Sequence, residues 1–146
     1  MAHPTIEDAV ALAARAHRGQ VDKAGECYIF HPLRVMMRFE DAPARIVAVL
    51  HDLLEDTTVT ADDLRQSGYS EEVLEALDAL TRRPEETYEE FVDRAGANPL
   101  ARRVKLADLE DNMNMSRLPS TGVSDQGRLA RYEAARKTLL AYEGGE

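Results

Sequence analysis

The chain has 146 residues and a net charge of −9, from 27 acids against 18 Lys and Arg. That length buries about 70% of the unfolded surface in one domain, and 44% hydrophobic with 31% charged residues excludes a disordered chain. The acidic balance excludes nucleic acid and anionic membrane as partners, and the single Cys27 excludes an internal disulfide.

No apolar run reaches the ~18 residues of a membrane span, and MAHPTIEDAV has no secretory pattern, so a cytoplasmic protein is expected. In chain order the periodicity is helical almost throughout. Thr5 and Asp8 stand in capping-box spacing at the head of TIEDAVALAARAH, which runs toward Gly19. The loop GQVDKAGECYIFHP follows, with Cys27 partly buried, and Pro32 opens the short LRVMMRFE. Before that proline, the backbone of His31 should be extended. Pro43 starts PARIVAVLHDLLED, expected as one helix closed by TTVT. Thr60 with Asp63 caps a helix that ends at Gly68, and Ser70 opens SEEVLEALDAL. Pro84 should begin PEETYEEFVDRAG, with Tyr88 and Phe91 packed inward. Asn98 and Pro99 introduce the long LARRVKLADLEDNMNMSRL, and DQGRLARYEAARKTLLAYE follows a break at 119–122. Methionines at 36–37 and 113–115 should fill core gaps. Together these segments predict a single all-α domain, a bundle of about seven or eight helices.

Two of these helices carry the chemistry. At 100° per residue, Ile46, Val47, Val49, Leu50, Leu53 and Leu54 share one arc, and His51, Asp52, Glu55 and Asp56 share the other. A solvated acidic face is the ordinary reading of such an arc. Here no cation is interleaved at i±3 or i±4, and acids in a last helical turn are opposed by the dipole. Adjacent His and Asp offer the nitrogen and oxygen that a divalent transition metal accepts.

On the long helix, Leu100, Val104, Ala107, Met115 and Leu118 form one apolar arc, and Leu106, Leu109 and Met113 form a second. A helix apolar on two sides should be central. Asp108, Asn112 and Lys105 fall in the gap between the arcs. A carboxylate there faces protein and must be paired with Lys or Arg, or bound to metal; both readings stay open. Among the other histidines, His31 stands before Pro32 and gains weight only from the His-Asp pair and the inward Asp elsewhere. His17 fits a helix C-terminus, and His3 lies in an end expected to fray.

The blocks AHRGQVDKAGECYIFHPLRV, VLHDLLEDT and VKLADLEDNM, with a final RLARY, resemble the HD-domain metal-dependent phosphohydrolases. The resemblance covers roughly residues 8–118 and is nearest to the alarmone hydrolase branch, RelA/SpoT-type proteins and their small stand-alone relatives. It implies an HD-domain helical bundle spanning 1–146 as one phosphohydrolase domain. It also implies one divalent ion, usually Mn²⁺, held by His31, His51, Asp52 and Asp108. Glu55 and Asp56 would then work at the reacting phosphate. Lys23 and Asn112 would hold the nucleotide, with Lys105 beside them and Arg128 and Tyr132 toward the phosphate or sugar. Two positions differ from the family pattern: Asp22 stands where a base-contacting cation is common, and Asp111 where a histidine is.

The expected activity is removal of the 3′-pyrophosphate of a guanosine 3′,5′-polyphosphate by a metal-activated hydroxide. A small anionic nucleotide is the expected partner. The alternatives are an HD hydrolase for another nucleotide or phosphate ester, a binding module without turnover, and a purely structural bundle.

Overall fold

In a computed structural model of the chain, residues 3–116 and 123–144 are described. Nine helical segments occur among them: α1 (Ile6–Ala16), α2 (Phe30–Met36), α3 (Ala42–Leu50), α4 (Leu53–Asp56), α5 (Ala61–Gln66), α6 (Glu71–Ala79), α7 (Tyr88–Ala97), α8 (Pro99–Ser116) and α9 (Val123–Gly144). The all-α reading holds. The described residues carry no strand beyond an isolated antiparallel bridge between Val21 and Cys27. The expected break at 119–122 lies outside them.

Local chemistry explains most helix starts. Thr5, Thr60 and Thr87 each form a full capping box, with Asp8, Asp63 and Glu90, so two orphan amides are satisfied at each start. Asp41 and Ser70 cap α3 and α6 by accepting from Ala44 N and Val73 N. Asn98 Oδ1 accepts from Ala101 N at 2.9 Å at the head of α8.

Four expectations are corrected. Helix α7 begins at Tyr88 rather than Pro84, because the Thr87–Glu90 box is a stronger start than the proline. Helix α2 begins at Phe30, so His31 is helical; a proline is tolerated in a first turn, where its missing N–H had no partner to lose. Cys27 is exposed, beside the Val21 bridge. Met37 is 68% exposed and fills no core gap, whereas Met36 packs against the core and Met113 is buried.

The fifth correction bears on function. Residues 43–56 do not form one helix: α3 stops at Leu50 and the single turn α4 resumes at Leu53. The Ala48 carbonyl accepts both the His51 backbone N–H, at 3.4 Å, and His51 Nδ1, at 2.6 Å. A side chain that competes for a backbone acceptor ends a helix, and this one does so at the His-Asp step. The acids of 52–56 therefore do not close a long helix. Asp52 is the N-cap residue of α4, and Glu55 and Asp56 lie within its one turn.

Helix α8 is central, as its two apolar arcs require. Ala101, Val104 and Ala107, with Leu100 against them, belong to a large core built on α1, α3 and α6. Leu109 and Met113, with Leu106, belong to a second core with Val92, Ala135 and Leu139. The seam between the two cores is where Lys105, Asp108 and Asn112 emerge.

Candidate functional site

Side chains from α2, the α3–α4 break and α8 meet at this seam. His31 Nε2, His51 Nε2 and an Asp108 oxygen lie within 4.8 Å of one another, and all three residues are buried. Asp108 Oδ1 is 2.8 Å from His31 Nε2 and 3.1 Å from His51 Nε2. Asp52 lies beside this group without belonging to it, its Oδ2 3.1 Å from His51 Nε2 and 3.8 Å from His31 Nε2. The hydroxyl of Tyr28 donates to the same Asp52 oxygen.

The outer nitrogen of each imidazole is engaged. His31 Nδ1 lies 2.7 Å from Asp111 Oδ2, and His51 Nδ1 bonds the Ala48 carbonyl. With an acceptor at Nδ1, a neutral ring would hold its proton there and turn a free Nε2 inward, the arrangement of metal-ligating histidines. Arg34 clamps Asp111 through Nε at 2.9 Å and Nη2 at 3.0 Å. Two imidazole nitrogens and the Asp108 carboxylate facing one point, with Asp52 alongside, suit a divalent transition ion.

Charge in the cluster is mutually supported. Burial would lower the His31 pKa, but the Asp108 and Asp111 carboxylates outweigh it and hold the ring at about 9. His51 is raised as well: burial opposes, and Asp52 and Asp108 prevail. Burial pushes Asp52 and Asp111 up, yet His51 for the first and His31 with Arg34 for the second bring each to about 2. Asp108 is held well below the carboxylate range against its burial, first by Lys105 and then by the two histidines.

Of the two readings of Asp108, the structure shows the pair with Lys105 and leaves an oxygen toward the histidines. Its Oδ2 pairs with Lys105 Nζ at 2.9 Å, and its Oδ1 faces the imidazoles. Asn112 Nδ2 donates to Oδ1 at 3.3 Å.

The cluster opens into a cleft of about 210 Å³. Of the expected site residues, His31, Asp52, Glu55, Lys105, Asp108, Asn112 and Tyr132 line it. Glu55 is exposed and accepts the Arg82 backbone N–H at 2.9 Å. Asp56 is exposed and does not line the cleft; desolvation and the charges of Asp52 and Glu55 raise its pKa. His51 lies behind the lining, whereas Lys23 and Arg128 do not line the cleft. Asp22 turns its carboxylate onto its own loop, accepting from Ala24 N and Glu26 N. His17 is buried at the C-cap of α1 and bonds Gln20, whose amide reaches the Asp56 carbonyl. His3 is not frayed: its Nδ1 reaches the Gly68 carbonyl at 2.8 Å.

Tyr28, Arg82, Tyr88, Phe91 and Arg131 line the cleft and are absent from the sequence expectation for the site. The inward packing expected of Tyr88 and Phe91 holds, with the rings edge to face at 6.2 Å. For Tyr28, the loop block shared with the family was the available signal. Arg131 lies in the RLARY segment, a signal of the same kind, and nothing local marked Arg82.

No protein-family model matches the chain. It is 34% identical to a GTP pyrophosphokinase of Streptomyces coelicolor over 94% of its own length and 17% of that protein. It is 32% identical to a guanosine-3′,5′-bis(diphosphate) 3′-pyrophosphohydrolase of Vibrio cholerae over 99% of its length and 23% of that protein. The chain thus spans less than a quarter of these curated relatives. A solved structure described as a metazoan ortholog of SpoT that hydrolyzes ppGpp superposes with a TM-score of 0.77, at 22% identity, over 97% of this chain and 88% of that one. That likeness shows the fold.

Proposed function

We propose, from the premise that the chain is an HD domain of the RelA/SpoT type, that it is a divalent-metal-dependent phosphohydrolase releasing the 3′-pyrophosphate of guanosine 3′,5′-polyphosphates. The observation that carries the reading is the convergence of His31 Nε2, His51 Nε2 and Asp108 within 4.8 Å, from segments far apart in the chain. Relatives named for this reaction support the substrate. With a small nucleotide as substrate and no helix among the described residues able to cross a membrane, a cytoplasmic setting fits.

His31, His51, Asp52 and Asp108 would hold the ion, and Mn²⁺ suits their mixed nitrogen and oxygen donors. When bound, such an ion supplies Lewis acidity at the phosphoryl group and lowers the pKa of water by several units. The protein does the rest. Lys105 neutralises Asp108 and brings a positive charge to the cleft wall. Glu55, held by the Arg82 amide, orients the attacking water. Asp56, whose carboxyl is pulled upward, is suited to take that water's proton. The bond from phosphorus to the ribose 3′ oxygen breaks, giving pyrophosphate and a free 3′-hydroxyl. Asn112 and Tyr132 hold the nucleotide from the cleft wall, and Lys23 and Arg128 engage it from outside.

A broader nucleotide specificity is favoured by one observation. Asp22 spends its carboxylate on its own loop and offers no cation to a base.

Metal analysis of the purified protein, then a screen for pyrophosphate and phosphate release with Mn²⁺, tests the reading. Release from a guanosine 3′-pyrophosphate is expected, and Asp108→Ala should abolish metal and activity together. Release only from other phosphate esters would transfer the activity to them, and none from a metal-loaded protein would leave a binding module.

A further inference from the structure

Along the cleft wall from Asp108, toward solvent, stand two arginines that the reaction does not require. Lys105 Nζ lies 5.0 Å from the centroid of Phe91, and Phe91 packs on Tyr88. Over the Tyr88 ring lie both Arg131, its guanidinium carbon 5.0 Å from the centroid, and Arg82, at 5.8 Å. Both arginines line the cleft and both are exposed.

A stacked surface arginine is commonplace, and three features separate this pair from that reading. In a chain with 27 acids against 18 bases, Arg34, Arg38, Arg65, Arg83, Arg94 and Arg103 each pair with a carboxylate. Arg82 and Arg131 have no carboxylate partner among the described residues, although they point like charges at one ring. The hydroxyl of Tyr88 is buried and lacks a hydrogen-bond partner among the described residues, a state that costs about 1–3 kcal/mol unless something satisfies it. Finally, Arg82 holds Glu55 through its backbone N–H, which places the root of its side chain beside the acid assigned to the reaction centre.

We propose that Arg82, Arg131 and the Tyr88 hydroxyl form a second anion subsite, which binds the 5′-diphosphate of the nucleotide while its 3′-diphosphate lies at the His-Asp cluster. Two planar guanidiniums offer paired donors matched to phosphate oxygens, and stacking on the ring pre-orders them. The Tyr88 hydroxyl donates to a phosphate oxygen once the overlying guanidiniums turn to the ligand. Lys105 lies between the two sites, so the nucleotide spans a wall of positive charge in an otherwise acidic protein. The subsite rests on the proposed nucleotide substrate and does not depend on turnover.

The test is calorimetric binding of guanosine 5′-diphosphate, adenosine 5′-diphosphate and guanosine to the Mn²⁺-loaded protein and to Arg131→Gln, Arg82→Gln and Tyr88→Phe. Each arginine variant should weaken both diphosphates about tenfold, as loss of a charge-assisted contact does, and leave guanosine unchanged. Tyr88→Phe removes a hydroxyl that no protein group uses, so it should weaken the diphosphates severalfold with no loss of thermal stability. Metal content should be the same in all four proteins. Equal diphosphate affinity in wild type and variants, or no diphosphate binding by wild type, overturns the subsite. Arginine-dependent binding without hydrolysis of any guanosine 3′-pyrophosphate would retain the subsite and remove the proposed activity.

Discussion

Asp111 Oδ2 lies 2.7 Å from His31 Nδ1, across 80 positions of sequence, and Arg34 grips the same carboxylate with two nitrogens. The residue that departs from the family pattern thus fixes the ring of a candidate metal ligand. Arg34 holds the carboxylate, the carboxylate holds the imidazole, and Nε2 is left facing Asp108.

Asp111→Ala should lower divalent-metal affinity by about 10–100-fold, the usual cost of losing an outer partner of a ligating histidine. Asp111→Asn keeps an acceptor for Nδ1 and should lose less. Competition against a chromophoric chelator measures both. Wild-type affinity in the alanine variant would show that His31 needs no such support.

Metal should stabilise the fold, because its ligands tie α2 and the α3–α4 break to α8. At about a hundredfold excess over Kd the gain is ~2.7 kcal/mol, reduced by whatever the imidazole–carboxylate pairs already contribute. A rise in melting temperature of several degrees on adding Mn²⁺, reversed by chelator, is expected by scanning calorimetry. Asp108→Ala should show no such rise. It should also melt lower without metal, since it leaves Lys105 in the seam without its carboxylate, at a cost of about 3–5 kcal/mol.

Glu86 gives a pH dependence away from the site. The Arg94 guanidinium holds its carboxyl at about 2, with Nε at 2.7 Å and Nη2 at 2.9 Å. A folded-state pKa below the unfolded value of about 4.3 means the contribution is complete above that pH and fades as pH falls toward 2. Glu86→Gln should therefore cost on the order of 1 kcal/mol at pH 7, as for a well-formed pair near the surface. The gap between the two proteins should close between about pH 5 and pH 2 in urea unfolding. A constant gap would assign the difference to packing instead.

Gly96 sets how closely α7 approaches α9. A Cβ there would meet Tyr142 Cδ2 at 2.6 Å and Cε2 at 2.7 Å. Alanine would favour the helix by up to about 1 kcal/mol, but overpacking against a ring costs about 1–3 kcal/mol and should win. Gly96→Ala should thus melt lower, and Tyr142→Leu should restore part of the loss by opening the space. Since α9 carries Arg131 and Tyr132, the single variant should also weaken nucleotide binding. A Gly96→Ala protein as stable as wild type would mean the ring moves aside freely.

Much of the fold was legible because it is written in local chemistry. Capping boxes at Thr5, Thr60 and Thr87 act over three residues, and the two apolar arcs of α8 repeat within a few turns. By itself the sequence determined the helical class, the central place of α8 and the seam that holds Lys105, Asp108 and Asn112. It also marked His51 and Asp52, because unrelieved like charge can be read without coordinates. Only the tertiary structure decided that the helix breaks at His51, that Asp108 serves Lys105 and the imidazoles with different oxygens, and that Asp111 and Arg34 support His31. It alone brought Arg82 and Arg131 to one tyrosine ring. The reason is range: caps and periodicity act within a turn or two, whereas the bonds of Asp108 and Asp111 to the two histidines join residues 57 to 80 positions apart, and packing of the two cores sets which of them meet.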